Sequence, residues 1–120
     1  MSVWIRLTGP GLQRLPPGTV HGCTDVTGFG LLGHTLEMAR GANLTAEITA
    51  APPLLPGVEA LARSGIRTGA STRNWDSYGE AVVLPPNFDP WRIDLLTDPQ
   101  TSGGLLIAAI ADDGDGLQLV

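Results

Sequence analysis

The 120-residue sequence predicts an α+β domain, a mixed sheet with helices packed on it in three layers. Three observations carry that prediction. From Val20 onward, stretches with strand and helix patterning alternate and end in a late strand. The apolar run beginning at Leu105 is short enough for a strand buried on both faces. Sixteen Gly and ten Pro supply more turns than a helix bundle uses, while 42% hydrophobic residues suffice for one modest core.

In chain order, residues 1–19 read as an irregular N-terminal segment, because Gly9-Pro10-Gly11 and Pro16-Pro17-Gly18 interrupt any regular element. The organised domain spans 20–111. Val20 to Val26 reads as a strand that delivers Thr24 and Asp25 to its end. A helix follows, with Thr27 as its N-cap and Phe29, Leu32, Leu36 and Ala39 on one apolar face. Arg40 suits its C-terminal end, and Gly41 the left-handed position beyond it. Leu44, Ala46 and Ile48 alternate with Thr45 and Glu47 as a half-buried strand does, and Pro52-Pro53 ends it. Pro56 opens a second helix whose buried face is Val58, Leu61 and Ala62, with Gly65 as its stop. Residues 67–80, rich in Ser, Thr, Arg and Asn, read as a polar loop. Val82 to Leu84 reads as a short strand, Leu95 to Ser102 as an irregular turn region, and Leu105 to Ile110 as a buried strand. Residues 112–120 form an acidic tail around Asp112, Asp113 and Asp115.

Composition narrows the function classes. A net charge of −5 gives no electrostatic footprint for nucleic acid or an anionic membrane, and the three Trp form no spaced platform for bases. All seven basic residues are Arg, so this chain supplies neither a P-loop lysine nor a Schiff-base lysine. The single Cys, Cys23, cannot form an internal disulfide, which points to a reducing compartment. It is expected to pack as a small hydrophobe rather than act as a nucleophile. His21 and His34 lack a third ligand for zinc, and His34 is expected to be packed or hydrogen-bonded. No run is long and apolar enough to cross a bilayer, and residues 1–7 do not read as a signal peptide, so the expected location is cytoplasmic.

Two segments carry the chemistry. Cys23-Thr24-Asp25-Val26-Thr27-Gly28-Phe29-Gly30-Leu31-Leu32-Gly33-His34 is a strand ending in a carboxylate, then a glycine-bearing turn into a helix start. Free N–H groups and the helix dipole suit an anion there. A carboxylate beside a bare phosphate would repel it, so the pairing makes sense with a cation between them, and Mg²⁺ takes one or two carboxylates plus phosphate oxygens and water. The same residues would equally serve a turn with tight helix–sheet packing. The second segment, Asp98-Pro99-Gln100-Thr101-Ser102-Gly103-Gly104-Leu105-Leu106-Ile107, offers either exposed backbone amides or a turn into a core strand.

Taken together, these two segments resemble the C-terminal domain of selenophosphate synthetases (selenide, water dikinases). The Ala51–Gly57 stretch and the Arg73-Asn74 pair resemble it too, and the likeness covers about residues 20–111. The wider aminoimidazole ribonucleotide synthetase-like (PurM-like) superfamily shares the fold, which the resemblance implies here. It also implies a homodimeric, Mg²⁺-dependent enzyme that makes selenophosphate from selenide, ATP and water. In that frame Asp25 matches a metal-binding aspartate, and Thr24, Thr27, Gly28 and Gly30 match the phosphate-side turn around it. No catalytic residue is assigned to this chain, because the family's reactive Cys or selenocysteine, its partner Lys and its other metal aspartates lie in an N-terminal domain. The sequence therefore reads as truncated at both ends and inactive alone. The alternative is a non-catalytic remnant, or a partner subunit that complements a separate ATP-binding half.

Overall fold

The computed structural model describes residues 2–6, 18, 20–48 and 51–109. Its three strands are β1 (Ser2–Arg6), β2 (Val20–Asp25) and β3 (Leu105–Ala109), in the spatial order β1-β3-β2. Both ladders among the described residues run antiparallel. Ser2 to Arg6 pair with Ala109 to Leu105, and Asp25, Thr24 and Cys23 pair with Leu105, Leu106 and Ile107. The β2 register shifts between Val20 and Gly22. β3 is central, which explains its unbroken apolar run: Leu106, Ile107 and Ala108 are all buried. The segment before Val20, read from its Gly-Pro clusters as irregular, contains β1. Five residues carry too short a pattern to be recognised without the central strand that pairs them.

Among the described residues, in an α+β arrangement, α1 (Gly30–Gly41) packs on β2, α3 (Gly69–Tyr78) and α4 (Pro90–Thr97) pack on α1, and α2 (Val58–Arg63) packs on α4. α1 covers the sheet, and Val26, Leu31 and Leu106 form the core cluster with Met38, Ala46 and Leu96 against it. Each fully buried Leu of this kind contributes roughly 1.5–3 kcal/mol. β2 has a glycine, Gly22, where the helix crosses: a Cβ there would stand 3.2 Å from Met38 Cε.

The α2 C-terminus follows the predicted chemistry, while other helix ends are displaced from it. α2 closes in a Schellman motif, with Gly65 at φ +89°, Ile66 N–H donating to Leu61 O, and Gly65 N–H to Ala62 O. α1 closes the same way two residues later than expected. Gly41 is its last helical residue, and Asn43 takes the left-handed conformation at φ 53° while Leu44 N–H reaches Ala39 O. Asn tolerates that region well enough for the helix to run past the glycine. Pro56 precedes α2 rather than opening it, and Gly57, left-handed at φ 83°, is the N-cap.

Larger departures lie between residues 44 and 97. Leu44–Ile48 and Val82–Leu84 take no regular structure and join no ladder among the described residues, and Val83 is 96% exposed. On α2 only Ala62 is buried, while Leu61 stands in solvent; on α1, Phe29 lies outside the buried face. The polar stretch 67–80 is not a loop but holds α3, and Leu95–Thr97 complete α4 instead of opening an irregular turn. Pro90 at the first turn of α4 has no N–H to lose there. α3 starts on Thr68, whose Oγ1 accepts from Ser71 N–H at 3.2 Å.

Candidate functional site

The two chemistry-bearing segments, seventy residues apart in sequence, meet at the end of the β2–β3 ladder. Asp25 is opposite Leu105, Val26 N–H donates to Gly104 O at 2.9 Å, and Gln100 N–H donates to Thr27 O at 3.0 Å. The glycines make the meeting possible. A Cβ on Gly103 would collide with the Val26 carbonyl. Gly30 is left-handed at φ +69°, and a Cβ there would come within 2.7 Å of Thr97 O at the end of α4.

β2 alternates, so Thr24 is half-buried while His21, Cys23 and Asp25 share the exposed face. Asp25 therefore ends the strand with its carboxylate in the open, forming no ion pair or hydrogen bond among the described residues. Cys23 is also exposed, two residues before it, which overturns the expectation that its thiol packs as a small hydrophobe. The strand's period of two, applied from Asp25 backwards, puts Cys23 on that face.

The turn residues are held by the protein itself. Thr24 Oγ1 donates to Asp25 O at 3.2 Å. Thr27 is not the N-cap of α1; Phe29 holds that position without a side-chain cap, and Gly30 N–H turns back to Thr27 O. The Thr27 hydroxyl instead lies 3.2 Å from His34 Nε2. His34 is buried, as expected of it, with the Phe29 ring tilted against it. Its Nδ1 is 3.1 Å from Glu37 Oε2, within ion-pair range but off the direction of a hydrogen bond.

Behind the turn stands α3, the element that polar composition hid. Asn74 Nδ2 donates to Gly28 O and to Thr97 O, both at 2.9 Å, and the Tyr78 hydroxyl donates to Phe29 O. Ser71, 1% exposed, donates its hydroxyl to Asp94 O and Asp98 Oδ1 at 3.1 Å, and Thr68 Oγ1 reaches the same carboxylate at 2.8 Å. Burial pushes the Tyr78 hydroxyl above its usual pKa, against a smaller opposing pull from the Gly33 backbone. Ser71, Asn74 and Tyr78 fall three and four residues apart, one face of a helix, and that spacing was the available signal.

Among the described residues no three His, Cys, Asp or Glu side chains gather as a metal cluster. Asp25 is a lone carboxylate beside a helix start, a donor set that suits a hard cation sharing its other positions with phosphate oxygens and water. It does not suit a site closed by protein ligands alone. Among the described residues no helix is long and apolar enough to cross a membrane.

An α+β domain whose strand end, glycine turn and helix start are locked to a second glycine segment defines a recognisable class. The family described as AIR synthase related protein, C-terminal domain, matches residues 10–117, and the chain belongs to that family. Within it, the chain is similar to proteins named selenide, water dikinase. It is 57% identical over 108 residues to the one from Pseudomonas straminea, covering 89% of this chain and 30% of that protein. It is 56% identical over 104 residues to that of Paraburkholderia xenovorans, covering 86% and 29%. Against Burkholderia ambifaria the identity is 55% over 111 residues, covering 92% and 31%. The chain thus spans about three-tenths of the length of the curated relatives it matches.

Proposed function

We propose that this chain is one domain of an ATP- and Mg²⁺-dependent phosphotransferase that makes selenophosphate from selenide, ATP and water. Its share of the reaction is on the metal and phosphate side. The observation that supports this reading is the exposed, unpaired Asp25 carboxylate placed at the strand end beside the Thr27–Gly30 turn. The names and high identity of the relatives support the choice of reaction.

In this reading Asp25 is a ligand of Mg²⁺, which neutralises phosphate charge as the phosphoryl group transfers. The turn offers backbone N–H groups and the α1 dipole to the phosphate oxygens. Thr24, Thr27, Gly28 and Gly30 give the turn its shape; the two Thr hydroxyls and the Gly28 carbonyl are engaged within the chain. Selenide activation falls to residues outside this chain, which has no Lys, so the chain alone makes no selenophosphate and forms no AMP. Partners in this reading are ATP, selenide and the remainder of the enzyme, in a homodimer.

The test replaces the matching segment of the Pseudomonas straminea protein with residues 20–109 of this chain. The chimera is expected to form AMP only when selenide is present. Asp25→Asn keeps the size and turn-forming capacity of the side chain but removes the charge, and is expected to lower AMP formation about hundredfold or more with the fold retained. Unchanged turnover and unchanged magnesium dependence in Asp25→Asn would overturn the assignment. AMP formation by the isolated chain would overturn the division of labour.

A further inference from the structure

The Arg73-Asn74 pair, singled out by sequence, has no role in the reaction as proposed, yet Asn74 reaches the turn directly. A trans peptide points the C=O of one residue and the N–H of the next in opposite directions. Asn74 draws the Gly28 carbonyl toward α3, so the Phe29 N–H points away from α3. Gln100 N–H holds the Thr27 carbonyl in the same manner, which turns the Gly28 N–H away from Gln100. Neither of these two N–H groups meets an acceptor among the described residues, and Gly28 and Phe29 are both exposed. The second Asn74 bond, to Thr97 O, fixes that amide against the end of α4, the backbone on which Gly30 rests.

We infer that Asn74 is a positioning residue: it orients the Gly28–Phe29 peptide so that its N–H faces an anionic oxygen, here that of a magnesium-bound di- or triphosphate. The inference rests on the phosphate-side reading of the turn. Asn74 touches no reacting atom and acts only through the Gly28 carbonyl. Arg73, exposed on α3, takes no part.

The test uses the full chain, ¹⁵N-labelled, titrated with magnesium pyrophosphate. Three forms are compared: wild type, Asn74→Ala, and Thr68→Ala, which removes the α3 cap without touching the turn. Asn74→Ala is expected to shift the Gly28 and Phe29 amide resonances before any ligand is added. It is also expected to weaken pyrophosphate binding about tenfold, as loss of one hydrogen bond to a charged group does. Thr68→Ala is expected to lower the Tm while leaving both the two resonances and the affinity within about twofold of wild type. Asn74→Ser, which keeps one short donor, replaces Asn74→Ala in the comparison if the alanine variant does not fold. Unmoved Gly28 and Phe29 resonances, or an equal loss of affinity in Thr68→Ala, would overturn the inference. Wild-type chain that shows no response to magnesium pyrophosphate would instead sink the phosphate reading of the turn, while the ligand-free resonances still decide the role of Asn74.

Discussion

α2 and α3 both pack on α4, and they do so by opposite means. α3 meets its surroundings through directional bonds from Ser71, Asn74 and Tyr78 to backbone carbonyls of the turn and of α4. α2 meets α4 through apolar contact and a cation–π arrangement, with the Arg63 guanidinium 4.3 Å from the centre of the Trp91 ring. A cavity of about 200 Å³ remains between them, lined by Val58, Leu61 and Leu95 among others. Leu55, Leu61 and Ile66 on the α2 side are more than half exposed. The polar helix is the tightly specified one, and the apolar helix is the loosely held one. Hydrophobicity therefore misleads in both directions, because a polar side chain with a fixed partner specifies position more narrowly than an apolar one.

The largest expected effect on this contrast comes from Gly103→Ala, on the specified side. Its Cβ would collide with the Val26 carbonyl, backbone that cannot yield without breaking the Val26–Gly104 bond. A loss of about 3 kcal/mol or more is expected in urea denaturation. A loss below about 1 kcal/mol would show that the two glycine segments are not locked together.

Asn74→Ala ranks second. It leaves two backbone carbonyls without their donor, at about 1–3 kcal/mol, and the change is expected as a lower urea midpoint with an unchanged slope. On the loosely held side, Leu61→Ala is expected to change stability by only about 0.5–1 kcal/mol, although the same substitution in a packed core costs 2–5. A core-sized loss there would erase the distinction between the helices.

The smallest effect concerns pH. Tyr78 is the only Tyr, and its pKa lies above the ordinary 10.0 in the folded chain, so the unfolded chain releases that proton first. Stability from this group is complete below the unfolded value and declines as pH rises from about 10.0 toward the higher folded value. Tyrosinate absorbance of the native chain is expected to titrate later than that of the urea-unfolded chain. Coincident curves would mean that the hydroxyl is not buried in the folded chain.

How much of this was legible in the sequence depended on the kind of signal. β2, the turn and β3 were readable because a carboxylate, closely spaced glycines and a short apolar run are local patterns. That the two segments meet was not legible in the sequence, because a ladder such as the one pairing Asp25 with Leu105 joins residues far apart in the chain. α3 was hidden because Ser, Thr and Asn carry weak helix propensity, and its stability comes from acceptors distant in sequence. Leu61 was placed in the core by its spacing with Val58, but spacing gives a face and not what covers it. Asp25 stood out in the sequence as a strand-end carboxylate, whereas the anchors of the turn beside it, Asn74 and Tyr78, required the fold.

The position of β3 also sets an order of events during synthesis. β1 and β2 leave the ribosome before β3, yet among the described residues each finds its partner in β3. Until residues 105–109 emerge, neither early strand has its partner, and the TDVTGFG turn lacks the Gly104 carbonyl that receives Val26 N–H. Local helices can form in the meantime, while sheet pairing across eighty residues or more must wait, at the slow rate that distant contacts impose. The nascent chain thus carries two unpaired strands until β3 emerges, a window in which exposed strand edges are open to competing contacts.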